Sequence, residues 1–72
     1  MSFKIEKDLL IKTRPFQHGI DLLILEKTEQ LVQMERRNTE IRLFNVNYRE
    51  VHSDKAGYRK FRIIEAFNQR DK

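Results

Sequence analysis

The chain has 72 residues, no cysteine and a formal net charge of +4. This length allows a single domain, residues 1–72, and the lack of cysteine excludes disulfides and thiolate metal sites. The N-terminal stretch mixes charged and apolar residues, so we expect no signal peptide. The longest apolar run, residues 22–25, is far shorter than the roughly 20 residues of a membrane span. We therefore expect a cytoplasmic protein.

The positive charge is concentrated in the second half of the chain. Residues 1–35 carry five Lys/Arg and six Asp/Glu, whereas residues 36–72 carry ten Lys/Arg and five Asp/Glu. Such an asymmetry indicates a nucleic acid or an acidic protein as partner. The competing interpretation is a solvated basic surface that only keeps the protein soluble. A domain of this size buries only about 60% of its unfolded surface, so a homodimer that completes the core is a second expectation.

Residues 3–12 alternate between apolar and polar side chains, which predicts a strand or two short strands bent at residues 7–8. One face carries Phe3, Ile5, Leu9 and Ile11, interrupted by Lys7. The other carries Lys4, Glu6, Asp8 and Lys12, interrupted by Leu10. Residues 13–19 contain the only proline and form a connector, from which we expect Phe16 to plug an edge of the core.

Residues 20–37, IDLLILEKTEQLVQMERR, have the period of an amphipathic helix. The apolar face carries Ile20, Ile24, Leu25, Thr28, Leu31 and Val32. We expect Asp21 to cap the N-terminus of this helix and Asn38 its C-terminus. The competing prediction is a β-hairpin with KTEQ as its turn, although KTEQ lacks the Asn-Gly or Asp-Gly typical of two-residue turns.

Residues 40–52 and 58–67 are strand-like, and the turn-forming SDKAG separates them. In the first run the apolar positions change parity, from Ile41 and Leu43 to Phe44 and Val46, which indicates a bulge or a strand buried on both faces. In the second run the expected core face carries Phe61, Ile63 and Phe67, and the other face Tyr58, Lys60, Arg62 and Ile64. A C-terminal helix is the competing prediction for this run.

The predicted order is therefore β–α–β–β. It favours an α+β two-layer domain, in which a small antiparallel sheet has one helix packed across a face. If residues 20–37 form a hairpin instead, the alternative is a small all-β barrel or sandwich.

No motif in the sequence indicates an enzyme, so we expect no catalytic residue, no metal site and no cofactor. The two glycines cannot supply a phosphate-binding loop. Contiguous residues such as His52, Ser53 and Asp54 cannot line up as a catalytic triad. A ribonuclease stays a third hypothesis, because such enzymes use residue types that this chain has at Arg49, His52, Tyr58, Arg59 and Arg62.

The first functional hypothesis is a small non-enzymatic nucleic-acid-binding or regulatory domain. The candidate phosphate-binding residues are Arg36, Arg37, Arg42, Arg49, Lys55, Arg59, Lys60 and Arg62. Tyr48 and Tyr58 are the candidates for stacking on bases. If Ile41 and Leu43 point into the core, we expect Tyr48 to share the sheet face of Tyr58. The alternative is a protein–protein interaction module, an inhibitor or adaptor that docks on an acidic partner.

Overall fold

The computed structural model describes residues 2–13 and 19–68, which form three strands and one helix. The elements are β1 (Ser2–Lys12), α1 (Ile20–Arg36), β2 (Leu43–Val51) and β3 (Tyr58–Asn68). Both strand pairings are antiparallel and β3 lies in the centre, in the order β1-β3-β2. The helix packs across one face, so the α+β two-layer prediction is confirmed. The hairpin for residues 20–37, the C-terminal helix and the all-β alternative are wrong. Phe16 lies outside the described residues.

The core lies between α1 and the sheet and has two parts along the helix axis. One part contains Phe3, Val32, Ile41, Leu43 and Ala66. The other contains Ile11, Ile24, Phe61 and Ile63. Full burial of one such large side chain stabilises the fold by about 1.5–3 kcal/mol. The helical period of residues 20–37 is therefore the pattern that fills the core.

The helix ends differ from the expected caps. Gly19 is the N-cap in an extended conformation, without a side-chain hydrogen bond to the helix. At the other end Arg37 adopts the left-handed conformation with φ 53°, and the N–H groups of Arg37 and Asn38 bond back to the carbonyls of Met34 and Gln33. This is the hydrogen-bonding pattern of a Schellman motif, with an arginine where glycine is usual.

Two polar side chains of α1 tie the helix to the start of β2. The Glu29 carboxylate accepts the N–H of Leu43 at 2.9 Å, and the Gln33 amide donates to the Ile41 carbonyl at 2.8 Å. These bonds satisfy backbone groups that the sheet does not pair. Ile41 and Leu43 are buried as a result of this placement.

Register shifts in the sheet explain the change of parity seen in the sequence. The β2–β3 pairing shifts between Leu43 and Asn45 and again after Asn47. Leu43 is buried, Phe44 is 60% exposed, and Val46 returns to the core side. On β3 the shift between Ile63 and Glu65 buries Ala66 and leaves Phe67 against Phe44, so the prediction that Phe67 faces the core is wrong. The predicted bulge in residues 41–46 is confirmed.

Irregular backbone also occurs on β1. Its pairing with β3 shifts between Lys4 and Lys7, and Glu6 has a positive φ of 53°. Lys7 points toward the helix layer and forms an ion pair with Glu35 at 2.8 Å. The strand is continuous nevertheless, and its predicted apolar face lies on α1.

The described helix is too short and too polar to cross a bilayer.

Candidate functional site

The sheet face opposite α1, which we call the open face, brings together basic residues from all three strands. The register sets Lys12 opposite Tyr58, and Arg62 between Asp8 on one side and Arg49 on the other. Lys60 lies between Leu10 and Val51. Directly opposite residues of antiparallel strands point to the same face. Their strand neighbours, such as Ile11, Phe61 and Ile63, point to the helix instead.

The β2–β3 turn adds one more cation to this face. The Lys55 Nζ lies 4.3 Å from the centroid of the Tyr58 ring, within the range of a cation–π contact. Gly57 allows the turn with a φ of 82°, and its carbonyl accepts bonds from the backbone and the hydroxyl of Thr13 at the end of β1. We call the resulting surface the basic face. It contains Lys12, Arg49, Lys55, Lys60 and Arg62, with Tyr58 at the end nearer the turn.

Acidic residues limit the extent of the basic face. Asp8 accepts two hydrogen bonds from Arg62, at 2.9 and 3.3 Å. These bonds hold the pKa of Asp8 below its ordinary value and raise that of Arg62. Glu6 and Glu65 lie farther along the same sheet face, toward the start of β1. The basic face is therefore the half of the open face nearer the β2–β3 turn.

Arg59 does not belong to the basic face. It points to the helix side, where its guanidinium lies 5.1 Å from the centroid of the Phe61 ring. It also donates two hydrogen bonds to Glu50, at 2.9 and 2.7 Å. The bonds lower the pKa of the Glu50 carboxyl. The charge of this arginine is thus balanced by Glu50, which lies on the same helix-facing side of the sheet.

The three remaining predicted arginines lie at the other end of the molecule, where α1 ends. The Arg36 guanidinium lies 4.9 Å from the centroid of the Phe3 ring, near the start of β1. Arg37 forms the C-cap. Arg42 donates to the carbonyls of Thr39 and Ile41, at 2.8 and 3.1 Å. The eight predicted residues therefore separate into the basic face, this helix end, and Arg59.

Tyr48 faces the helix, so the prediction that it shares a face with Tyr58 is wrong. The Tyr48 ring packs edge-on against Phe61, with centroids 5.7 Å apart. The Tyr48 hydroxyl donates to the Asp21 carboxylate. That hydrogen bond is the main reason why the pKa of Tyr48 rises from 10.0 to about 12. The bulge at Phe44 reverses the alternation that the prediction had extended from Ile41 and Leu43.

The side chains named for the ribonuclease hypothesis do not converge. His52 lies in the β2–β3 connection, 85% exposed, with its Nε2 2.9 Å from Asp54. Arg59 lies on the helix side, whereas Tyr58 and Arg62 lie on the basic face. Within residues 2–13 and 19–68, no group of three or more side chains is arranged to hold a metal ion.

One member of the basic face was missed from the sequence. Lys12 belongs to the acidic half of the chain, and only its pairing with Tyr58 brings it to the other cations. The available signal was the polar alternation of β1, which put Lys12 on the face away from the core.

No protein-family model matches this chain, and no curated protein or solved structure does either.

Proposed function

We propose that this protein is a small nucleic-acid-binding domain and that the basic face is its binding surface. The observation that carries the proposal is the presence of five cations and one tyrosine on the sheet face that α1 leaves uncovered. Lysine and arginine supply phosphate contacts. An aromatic ring among them can stack on a base.

Arg49 and Lys60 are the residues on which binding should depend most. Neither has a salt-bridge partner among residues 2–13 and 19–68. Arg62, in contrast, already shares its guanidinium with Asp8. An exposed ion pair contributes little to stability, so a phosphate can compete for Arg62 at a small cost.

The shape of the basic face favours single-stranded over duplex nucleic acid. The cations lie on a sheet face, and within residues 2–13 and 19–68 no helix stands on this face that could enter a major groove. A single strand can lay its phosphates along the cations and turn one base onto Tyr58.

A matched pair of double variants tests the proposal. Arg49→Gln with Lys60→Gln removes two charges from the basic face, and Arg36→Gln with Arg37→Gln removes two charges from the helix end. We expect the first variant to bind single-stranded oligonucleotides more weakly and to reduce the slope of log K against log salt by about 1.4, at roughly 0.7 per phosphate contact. The second should bind like the unmodified protein. Equal losses in the two variants would mean that only net charge matters and would contradict the proposal.

Asp8→Asn gives a test in the opposite direction. The substitution removes the carboxylate that holds Arg62, and so leaves this guanidinium to a phosphate. We expect tighter binding than in the unmodified protein, measured by fluorescence anisotropy at two salt concentrations. Unchanged or weaker binding would remove Arg62 from the proposed contacts.

An acidic protein is the other class of partner that a basic face could bind. A pull-down from a nuclease-treated lysate distinguishes the two classes. A specific protein that remains bound after nuclease treatment, and that the Arg49/Lys60 variant no longer binds, would support an inhibitor or adaptor function in place of nucleic-acid binding. Failure of the chain to bind any oligonucleotide at low salt would remove the nucleic-acid proposal.

A further inference from the structure

β2 is an edge strand, and residues 43–48 at its outer edge, which we call the rim, are uncharged. One of its sides pairs with β3, and its other side has no strand beside it in the described structure. Residues 43–48, LFNVNY, contain no charge, no proline and no glycine. A shallow, mainly apolar groove with Asp21 in its lining runs beside them, between β2 and α1, and Leu22 and Phe44 in this groove are 65% and 60% exposed.

The other edge, β1, has the features that keep edge strands from pairing with further chains. Charged side chains occupy Lys4, Glu6, Lys7, Asp8 and Lys12. The backbone of Glu6 has a positive φ of 53°, which interrupts the regular ladder. Charges and bulges on an edge strand discourage the addition of another strand. The two edges of one sheet therefore differ in their capacity for association.

Antiparallel self-pairing makes this difference explicit. For β1, pairing about Glu6, Lys7 or Asp8 at the middle of the strand sets like charges opposite each other: Glu6 against Glu6, Glu6 against Asp8, or Asp8 against Asp8. For β2, pairing about Val46, Asn47 or Tyr48 sets no like charges opposite each other in any of the three registers. Like charges directly opposite in a sheet are destabilising.

We propose that β2 pairs antiparallel with β2 of a second copy of this chain, which joins the two sheets into one of six strands. A two-fold axis perpendicular to the sheet, between the midpoints of the two β2 strands, places both helices on the same side. Leu22 and Phe44 of each copy then lie beside the groove of the other copy. The two open faces become continuous on the opposite side, and the two basic faces lie toward opposite ends of the joined sheet.

A second copy fits this surface better than a charged partner does, because an uncharged rim offers nothing for a charged strand to recognise. The charge pattern agrees, because none of the three central self-pairing registers of β2 sets like charges opposite each other.

The first experiment measures the mass of the full chain by light scattering, from micromolar to millimolar concentration. We expect twice the monomer mass at the upper end. Asn45→Lys with Asn47→Lys sets like charges opposite in each of the three registers, and we expect this variant to be monomeric throughout. The matched control, Ser2→Lys with Leu10→Lys, adds two lysines to the other edge and should keep the dimer.

The second experiment does not depend on the stability of a charged variant. Because the chain has no cysteine, a single introduced cysteine can report on proximity. Asn47→Cys, in the middle of β2, should form a disulfide-linked dimer rapidly under mild oxidation. Leu10→Cys, on the exposed face of β1, should do so no faster than expected from random collision.

The outcomes separate the proposal from other uses of this edge. A monomer at every concentration overturns self-pairing, and the rim would then be open to pairing with a strand of another protein. A dimer that survives Asn45→Lys with Asn47→Lys, or that cross-links as well through β1 as through β2, places the interface elsewhere. Neither result depends on whether the basic face binds nucleic acid.

Discussion

The two faces of the sheet are made from the same three strands but are held by different forces. On the helix side, buried apolar residues such as Ile63 lose nearly all contact with water. On the open face, the neighbouring residue Ile64 is only half-buried and lies beside the cations and carboxylates around Arg62. Packing determines the first face, whereas cross-strand register determines the second. Substitutions at adjacent positions should therefore have different consequences.

The largest expected effect compares Ile63→Ala with Ile64→Ala. Ile63 is 1% exposed in the core, so its truncation leaves a cavity and should lower the free energy of unfolding by about 3 kcal/mol. Ile64→Ala should cost less than about 1 kcal/mol. Urea unfolding of the two variants measures both values. Equal losses of stability in the two variants would show that Ile64 on the open face is also buried in solution.

Tyr48→Phe tests the hydrogen bond that closes the helix side near the start of α1. Loss of the bond to Asp21 should lower the free energy of unfolding by about 1 kcal/mol at neutral pH. Because the fold raises the pKa of Tyr48 from 10.0 to about 12, this contribution is complete below pH 10 and is lost as the pH rises through 12. Unfolding measured from pH 8 to pH 12 checks this.

Tyr58→Phe is the matched control for that measurement. Tyr58 lies on the open face, and none of the described residues forms a hydrogen bond with its hydroxyl. Its substitution should leave stability unchanged over the same pH range. A Tyr48→Phe variant that behaved in the same way would show that the bond to Asp21 contributes nothing.

Thr28→Val should increase stability. Thr28 is 1% exposed on the core side of α1, and its Oγ1 has no hydrogen-bond partner among the described residues. Replacing a buried, unsatisfied hydroxyl by a methyl group of similar size should raise the free energy of unfolding by about 1 kcal/mol. A loss of stability, seen by thermal unfolding, would mean that the hydroxyl is hydrogen-bonded in solution.

The smallest expected effect concerns the helix end. Arg37 has a left-handed φ of 53°, so Arg37→Gly should raise stability by between a few tenths and about 1 kcal/mol. Arg36, the last residue of α1, does not adopt the left-handed conformation. Arg36→Gly should therefore lower stability by about 1 kcal/mol. Opposite signs at these two positions in denaturant unfolding identify the C-cap. The same sign would contradict the assignment.

The sequence predicted the covered face better than the open one. The alternation of Phe3, Ile5, Leu9 and Ile11 and the helical period of residues 20–37 both reflect burial, which local periodicity records directly. The candidate site depended on faces of strands whose alternation changes midway. Tyr48 was assigned to the wrong face because one inserted residue in a strand reverses every side chain beyond it.

The distribution of charge along the chain was informative only in part. Arg49, Lys55, Lys60 and Arg62 do share a surface, because the β2–β3 hairpin keeps neighbours in sequence close in space. Lys12 joins them through a pairing between distant parts of the chain. Arg59 is taken away from them by the alternation of β3, although it stands between Tyr58 and Lys60 in the sequence.

The amino-acid sequence by itself determined the order β–α–β–β, the helix and the antiparallel two-layer architecture, because each follows from local periodicity and short connections. Only the tertiary structure decided which charges meet, since the irregularities at Phe44 in β2 and between Ile63 and Glu65 in β3 set the faces beyond them. It also decided that β3 is central and that β1 and β2 form the two edges. The uncharged rim of β2 is visible in the sequence, but its position at an edge depends on a strand order that no local pattern encodes.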